Sequence, residues 1–277
     1  MRKSFAKVAR PMIAGVIKER TNRDAIAQIK NSVCHGATGL DLHVSCLDEQ
    51  YQTKEELASI INASKVPVLA LNYNIGYDSS VYEDTEENRV GLILRAIEAG
   101  AAAADFQGYT FDLDSKHGFR EEFSHLGYSF IKGNPKEIVV DSKVIDKQME
   151  LFEKVHHMGA EVLLSNHPNI PMNTEQVVDL ALFLEKRKPD IIKIVTIANT
   201  DEEMVEAFKT MVTLKKEVKT PVSFHCGGEK GRITRVVNPC LGGFMCFCND
   251  RYTQNSDFNQ PLIETAKTII DNIQKIM

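Results

Sequence analysis

Within PDIIKIVTIANT, residues 189 to 200, Lys193 interrupts an otherwise apolar run. Pro-Asp before it and Asn-Thr after it mark a strand buried on both faces. A lysine there is costly unless it pairs with a carboxylate, snorkels to the strand end, or loses its proton. The third outcome is the productive one. Desolvation lowers the pKa of an amine in that position, and a neutral amine attacks carbonyl carbons. A histidine nearby completes the minimum for Schiff-base chemistry. The imine acidifies the adjacent carbon, a general base removes a proton there, and a leaving group departs. His167 ends the apolar run EVLLSNH (161–167), next along the chain before the lysine run. Its bland alternative is a satisfied polar residue at a strand end.

Other polar residues recur in or just after apolar runs. Asp41 and His43 share a face of GLDLHV at period two, as do Asp105 and Gln107 in AAADFQG. Asn72 and Tyr73 end a third run, and Gly231 and Arg235 follow PVSFHC. An arginine's planar fork pairs with a carboxylate through two hydrogen bonds, which suits an acidic substrate. Soft ligands gather in HCGG (225–228) and CLGGFMCFC (240–248), but their spacing fits no structural zinc pattern. Cys246 and Cys248 would share one strand face without a second pair, so no metal is expected.

These residues need a scaffold, and the chain supplies a regular one. Eight short apolar runs occur: 11–17, 39–44, 66–73, 102–108, 161–167, 190–197, 221–226 and 244–249. Amphipathic segments follow most of them. NRDAIAQIKNSVCHG has three-four spacing and a glycine stop, and TEENRVGLILRAIEAG opens on a Thr-x-x-Asn cap. NTEQVVDLALFLEKRK and TDEEMVEAFKTMVTLKKE place acids early and bases late, and QPLIETAKTIIDNIQKIM closes the chain. Eight strand-helix units in about 250 residues predict an α/β fold, the (β/α)8 TIM barrel, whose function collects at the C-terminal strand ends. A doubly wound sheet is the alternative, but no Gly-x-Gly-x-x-Gly turn follows the first strand. Residues 109–142 are too long for a simple βα loop. They read as an insertion after strand four, either a lid or a surface hairpin, within one barrel domain spanning 1–277.

The 277 residues are 43% hydrophobic and 26% charged, enough for one large core or two small ones. A net charge of -5 argues against a nucleic-acid surface. The basic N-terminal stretch has too short and broken an apolar part for a signal peptide, and no run reaches transmembrane length. Six cysteines without a CxxC pair predict reduced thiols and a cytoplasmic protein.

VLLSNHPNIP (163–171), DIIKIVTIANT (190–200), GRITRVVNPCLGG (231–243) and SDFNQ (256–260), in this order, resemble type I 3-dehydroquinate dehydratase. That family carries Ser-x-His-Asp-Phe, Ala-Asp-x-x-Lys-Ile, Gly-x-x-Ser-Arg and Ser-Ala-Pro-Gly-Gln at the corresponding places. The resemblance implies a (β/α)8 barrel, commonly dimeric, with no metal and no cofactor. It implies removal of water from 3-dehydroquinate, giving 3-dehydroshikimate through a lysine imine. Carried over, Lys193 falls on the imine lysine, His167 on the acid-base histidine, and Asp105 on a carboxylate near that histidine. Arg235, Ser256 and Gln260 fall on residues holding the substrate carboxylate and the closing loop.

The first half departs from the family. Its Glu-x-Arg on strand two is Asp41-x-His43 here, and the arginine ending strand three is Tyr73. A glutamate of strand four becomes Gln107, and Asp-Phe after the histidine becomes Pro168-Asn169. The replaced groups grip ring hydroxyls in the family, so the lysine-histidine pair is kept while the grip on substrate, at Asp41, His43 and Tyr73, is altered. Three readings follow: a 3-dehydroquinate dehydratase, a Schiff-base lyase or aldolase for another hydroxylated keto acid, or a non-catalytic binding barrel. An intact Lys193, His167 and Arg235 argue against the last. The expected partners are a small keto acid and a second copy of the chain.

Overall fold

A computed structural model describes residues 3–73, 85–254 and 256–277. All eight apolar runs are strands: β1 (Met12–Ile17), β2 (Gly39–His43), β3 (Val68–Leu71), β4 (Ala103–Gln107), β5 (Glu161–Asn166), β6 (Ile191–Ile197), β7 (Val222–Gly227) and β8 (Met245–Cys248). They form one sheet in the order β7-β6-β5-β4-β3-β2-β1-β8. Helices alternate with them: α1 (Asn22–Cys34), α2 (Lys54–Asn62), α3 (Glu86–Glu98), α4 (Ser142–His157), α5 (Thr174–Glu185), α6 (Asp201–Glu217), α7 (Thr234–Cys240) and α8 (Ile263–Gln274). This is the (β/α)8 barrel that the sequence predicts. Side-chain oxygens start the helices where the sequence places them. Thr21, Thr85 and Thr200 accept backbone N–H bonds at N-caps, and Asn173 with Gln176 and Thr200 with Glu203 form reciprocal capping boxes. Among the described residues no helix is long and apolar enough to cross a membrane.

Contacts divide the chain into two compact units. The first comprises Met1–Asp105, Val155–Val162 and Met245–Met277. Here the register aligns Val16, Asp41, Leu69 and Ala103 in one row and His43, Leu71 and Asp105 in the row above. Gly15 faces Ser32 of α1 and Ile263 of α8, so the alternate residues of β1, and Asp41 beside Val16, face away from the helices. Cys248 pairs in register with Gly15 and therefore faces the helix layer, as does Cys246; their Sγ atoms lie 3.4 Å apart on the shared face the sequence implied. All six cysteines are free thiols.

The second unit comprises Phe106–Lys154 and Leu163–Phe244. Its register sets Ser165, Lys193 and Ser223 in one row. Thr196 meets Cys226 on the face that packs against α7, so Lys193, Val195, Ser223 and His225 face the other way. The stretch 109–142 contains three short 3-10 turns, Leu113–Lys116, Glu121–Leu126 and Ser129–Ile131. It is pinned at both ends. Gln148 of α4 donates to the carbonyls of Gly108 and Thr110, and the buried Arg187 donates to Gln148 and to the Val139 carbonyl. Burial pulls the Arg187 pKa down to about 9.

Candidate active site

Lys193 is 6% exposed at the centre of β6. Its row neighbours are two serines, Ser165 on β5 and Ser223 on β7. One row higher stand Val195 and, in register with it on β7, His225. His167 follows Asn166, which pairs with Ile194, so His167 occupies the matching level beyond the end of β5. Two imidazoles thus flank the strand that carries the amine.

Each imidazole has a distinct setting. His167 Nδ1 lies 2.8 Å from Glu137 Oε2, and the same oxygen accepts the His167 backbone N–H at 2.9 Å. With Nδ1 donating to the carboxylate, Nε2 carries the lone pair that can take a proton. Glu137 is buried and adopts φ 61, a left-handed conformation that costs a non-glycine residue energy. Two bonds hold it there: its N–H donates to the Ser115 carbonyl, and its carbonyl accepts from Asn166 Nδ2. Gly108 makes this packing possible. A Cβ at that position would lie 2.1 Å from Asn166 Nδ2 and 2.2 Å from the Glu137 carbonyl oxygen.

His225 is fully enclosed instead. Desolvation holds its pKa well below 6.5, and the neighbouring Arg235, Lys193 and His167 push it the same way. Arg235 lies in the first turn of α7, which is bolted to β7. Thr234 accepts the Cys226 N–H, Asn238 donates to the Phe224 carbonyl, and Gly231 sits so close to the Cys226 backbone that a Cβ would come within 2.8 Å. The guanidinium is buried.

The first unit carries the remaining candidates. His43 Nε2 lies 3.6 Å from Asp41 Oδ2, while Asp41 Oδ1 is buried and has no hydrogen-bond partner among the described residues. The Tyr73 hydroxyl donates to Asp105 at 3.3 Å, and its ring meets His43 edge-on at 6.0 Å. In the loop after β8, Ser256 Oγ accepts from the Thr253 N–H, and the Gln260 carbonyl accepts from the Tyr252 hydroxyl. Gln260 Oε1 is buried without a partner among the described residues.

The second unit therefore brings together Lys193, His167 and Arg235, and adds Glu137 and His225, which the sequence reading did not place in the site. Asp105 accepts from Tyr73, and the carboxylate on His167 Nδ1 is Glu137. No periodicity marks Glu137, because it lies in the irregular stretch; the Gly-Asn-Pro turn just before it was the one available signal. His225 was visible only as a soft ligand in HCGG. No group of three or more His, Cys, Asp or Glu residues among the described ones could hold a metal ion.

A family model described as type I 3-dehydroquinase matches residues 13–277. The chain belongs to the type I 3-dehydroquinase family. Members of that family are dehydratases, carbon-oxygen lyases that work through a lysine imine. The 3-dehydroquinate dehydratase of Desulfotalea psychrophila is 23% identical over 172 residues, which is 62% of each chain. That of Coxiella burnetii is 24% identical over 204 residues, 71% of this chain and 79% of the relative. The match to the Desulfotalea protein thus spans less than two thirds of its length. Among solved structures, the dehydratase of Geobacillus kaustophilus superposes with a TM-score of 0.76 at 12% identity, covering 99% of this chain and 97% of that one. The type I dehydratase of Clostridium difficile, solved with covalent modified comenic acid, gives 0.74 at 14% identity over the whole of both chains. At these identities the structural likeness speaks for the fold, the (β/α)8 barrel of the type I 3-dehydroquinases.

Proposed function

We propose that this chain dehydrates 3-dehydroquinate to 3-dehydroshikimate through an imine on Lys193. The observation that carries the proposal is the lysine set between two serines with the His167–Glu137 pair one row above it. The amine attacks the substrate ketone and expels water as the imine forms. His167 removes a proton from the adjacent carbon, Glu137 holding the imidazole so that Nε2 faces the work. The same proton then leaves with the departing hydroxyl as water, and hydrolysis returns the lysine. Arg235 is proposed to hold the substrate carboxylate through its fork. On the family resemblance Asp41, His43, Tyr73, Ser256 and Gln260 are assigned to substrate and Asp105 to the catalytic groups, with the bare oxygens of Asp41 and Gln260 suited to receive donors. A homodimer in the cytoplasm accords with the family and with six free thiols.

The replaced groups at Asp41, His43 and Tyr73 favour a second reading, the same lysine chemistry on another hydroxylated keto acid. Incubation with 3-dehydroquinate while following the enone absorbance of the product separates the two. A steady rise, with a product lighter by one water, supports the first reading. A flat trace at high enzyme concentration overturns the first.

A further inference from the structure

Resting on the imine reading, we propose that His225 is a second proton carrier at Lys193, serving formation of the imine while His167 serves the carbon beside it. The register is the starting observation. Lys193 pairs with Ser223 and Val195 with His225, so the imidazole stands one two-residue step above the amine's own row on the adjacent strand. Parallel strands lie about 4.8 Å apart and two residues rise about 6.6 Å, so the two backbones are about 8 Å apart, and the charge of Lys193 acts on the imidazole across that gap. His225 faces the same side as Lys193 and is buried with it. It is also on the opposite flank of β6 from His167. The two imidazoles therefore approach the amine from different sides and need not exchange roles during a turnover.

The step balances. A lysine ammonium must shed one proton before attack, and the neutral His225 accepts it. The nitrogen lone pair adds to the ketone carbon, the carbonyl π pair moves to oxygen, and one N–H proton passes to that oxygen, giving a neutral carbinolamine. His225, now an imidazolium, returns its proton to the carbinolamine hydroxyl. The C–O bond breaks, water leaves, and the nitrogen lone pair forms the C=N bond of the protonated imine. One positive charge enters and one remains. Hydrolysis at the end of the cycle is the reverse. The role requires His225 to begin neutral, and its setting enforces that. Burial and the groups that face it, Arg235 on α7, Lys193 on β6 and His167 after β5, all disfavour the imidazolium. The same disfavoured charge makes His225 quick to give the proton back.

The test is a time course of borohydride-quenched adduct on the peptide containing Lys193, with 3-dehydroquinate as the probe. His225→Met and His225→Gln, apolar and polar replacements that cannot carry a proton, should both slow adduct formation by about 10²–10⁴-fold. Both should still reach the wild-type adduct yield, which shows that the fold and the amine survive. Acid should slow adduct formation more steeply in the wild type than in either variant, because protonation of His225 adds to protonation of the amine itself. His167→Ala should form the adduct at close to the wild-type rate and stop afterwards. Wild-type adduct rates in the two His225 variants at every pH overturn the proposal, as does an effect confined to KM. Should the wild type form no adduct with 3-dehydroquinate, the function proposed above fails on its own. His225 is then judged with formaldehyde and cyanoborohydride, where slower methylation of Lys193 in the variants supports it and equal rates overturn it.

Discussion

The two units of the barrel carry different chemistry at their strand ends. In the second, Lys193 stands between two serines and beside groups that can move a proton or hold an anion: His167 on Glu137, the enclosed His225, and Arg235 on a helix bolted to β7. In the first, the polar groups pair among themselves, His43 with Asp41 and Tyr73 with Asp105, and offer single hydroxyl, carboxylate or imidazole contacts. By the resemblance to the type I 3-dehydroquinases, the second unit keeps a lysine, a histidine and an arginine and departs at Gln107 and Pro168-Asn169, whereas the first has exchanged two arginines and shortened a glutamate. The contrast teaches that covalent and proton-transfer groups tolerate little exchange, because a reaction path fixes their type. Groups that grip a substrate can be replaced whenever the ligand or the mode of grip changes.

The largest effect should come from the second unit. Lys193→Ala removes the nucleophile, and turnover should fall by at least about four orders of magnitude in the enone assay. Turnover within tenfold of the wild type would place the covalent step elsewhere.

Next is the His167–Glu137 pair. Glu137→Gln leaves a hydrogen-bond partner but removes the charge and unsettles the imidazole tautomer, and kcat should drop by about 10²–10⁴-fold. Gly108→Ala should lower kcat in the same direction, since its Cβ would displace Asn166 and the Glu137 carbonyl. An unchanged kcat in Glu137→Gln would reduce Glu137 to a backbone anchor.

The first unit should respond in the opposite sense. His43→Arg with Tyr73→Arg returns charged donors to its strand ends. Each charged hydrogen bond is worth about 1.5–3 kcal/mol, so kcat/KM for 3-dehydroquinate should rise by roughly two to four orders of magnitude if both engage. The wild type should accordingly fall below about 10⁵ M⁻¹s⁻¹, an ordinary enzyme value. A wild-type value above that, unimproved by the arginines, would show that the present side chains already compensate.

The smallest effect is on stability. His225 stays neutral in the folded chain well below 6.5, while the unfolded chain takes up a proton as the pH falls through 6.5. The unfolded state then binds more protons, so stability is lost on acidification, by up to about 1.4 kcal/mol per pH unit below that point. Denaturant melts of the wild type and His225→Met between neutral and mildly acidic pH should diverge in this way. Parallel pH dependence would mean that His225 charges in the folded protein.

The barrel was legible because its signals are local. Eight apolar runs, threonine and asparagine caps, and glycine stops each declare one element within a dozen residues. Lys193 was legible for the related reason that a charge in such a run is conspicuous. Glu137 was not, because 109–142 folds into 3-10 turns without a repeating pattern and the carboxylate's aim depends on a left-handed residue held by Asn166 and Ser115. His225 was read as a possible metal ligand, since its direction depends on the register between β6 and β7, and no single strand contains that information.

Whether the second unit holds the nucleophile is decided by the mass of the borohydride-reduced protein. Incubated with 3-dehydroquinate, reduced and digested, the wild type should show one adduct, on the peptide containing Lys193. An adduct on a different lysine, with the Lys193 peptide unmodified, would contradict the account.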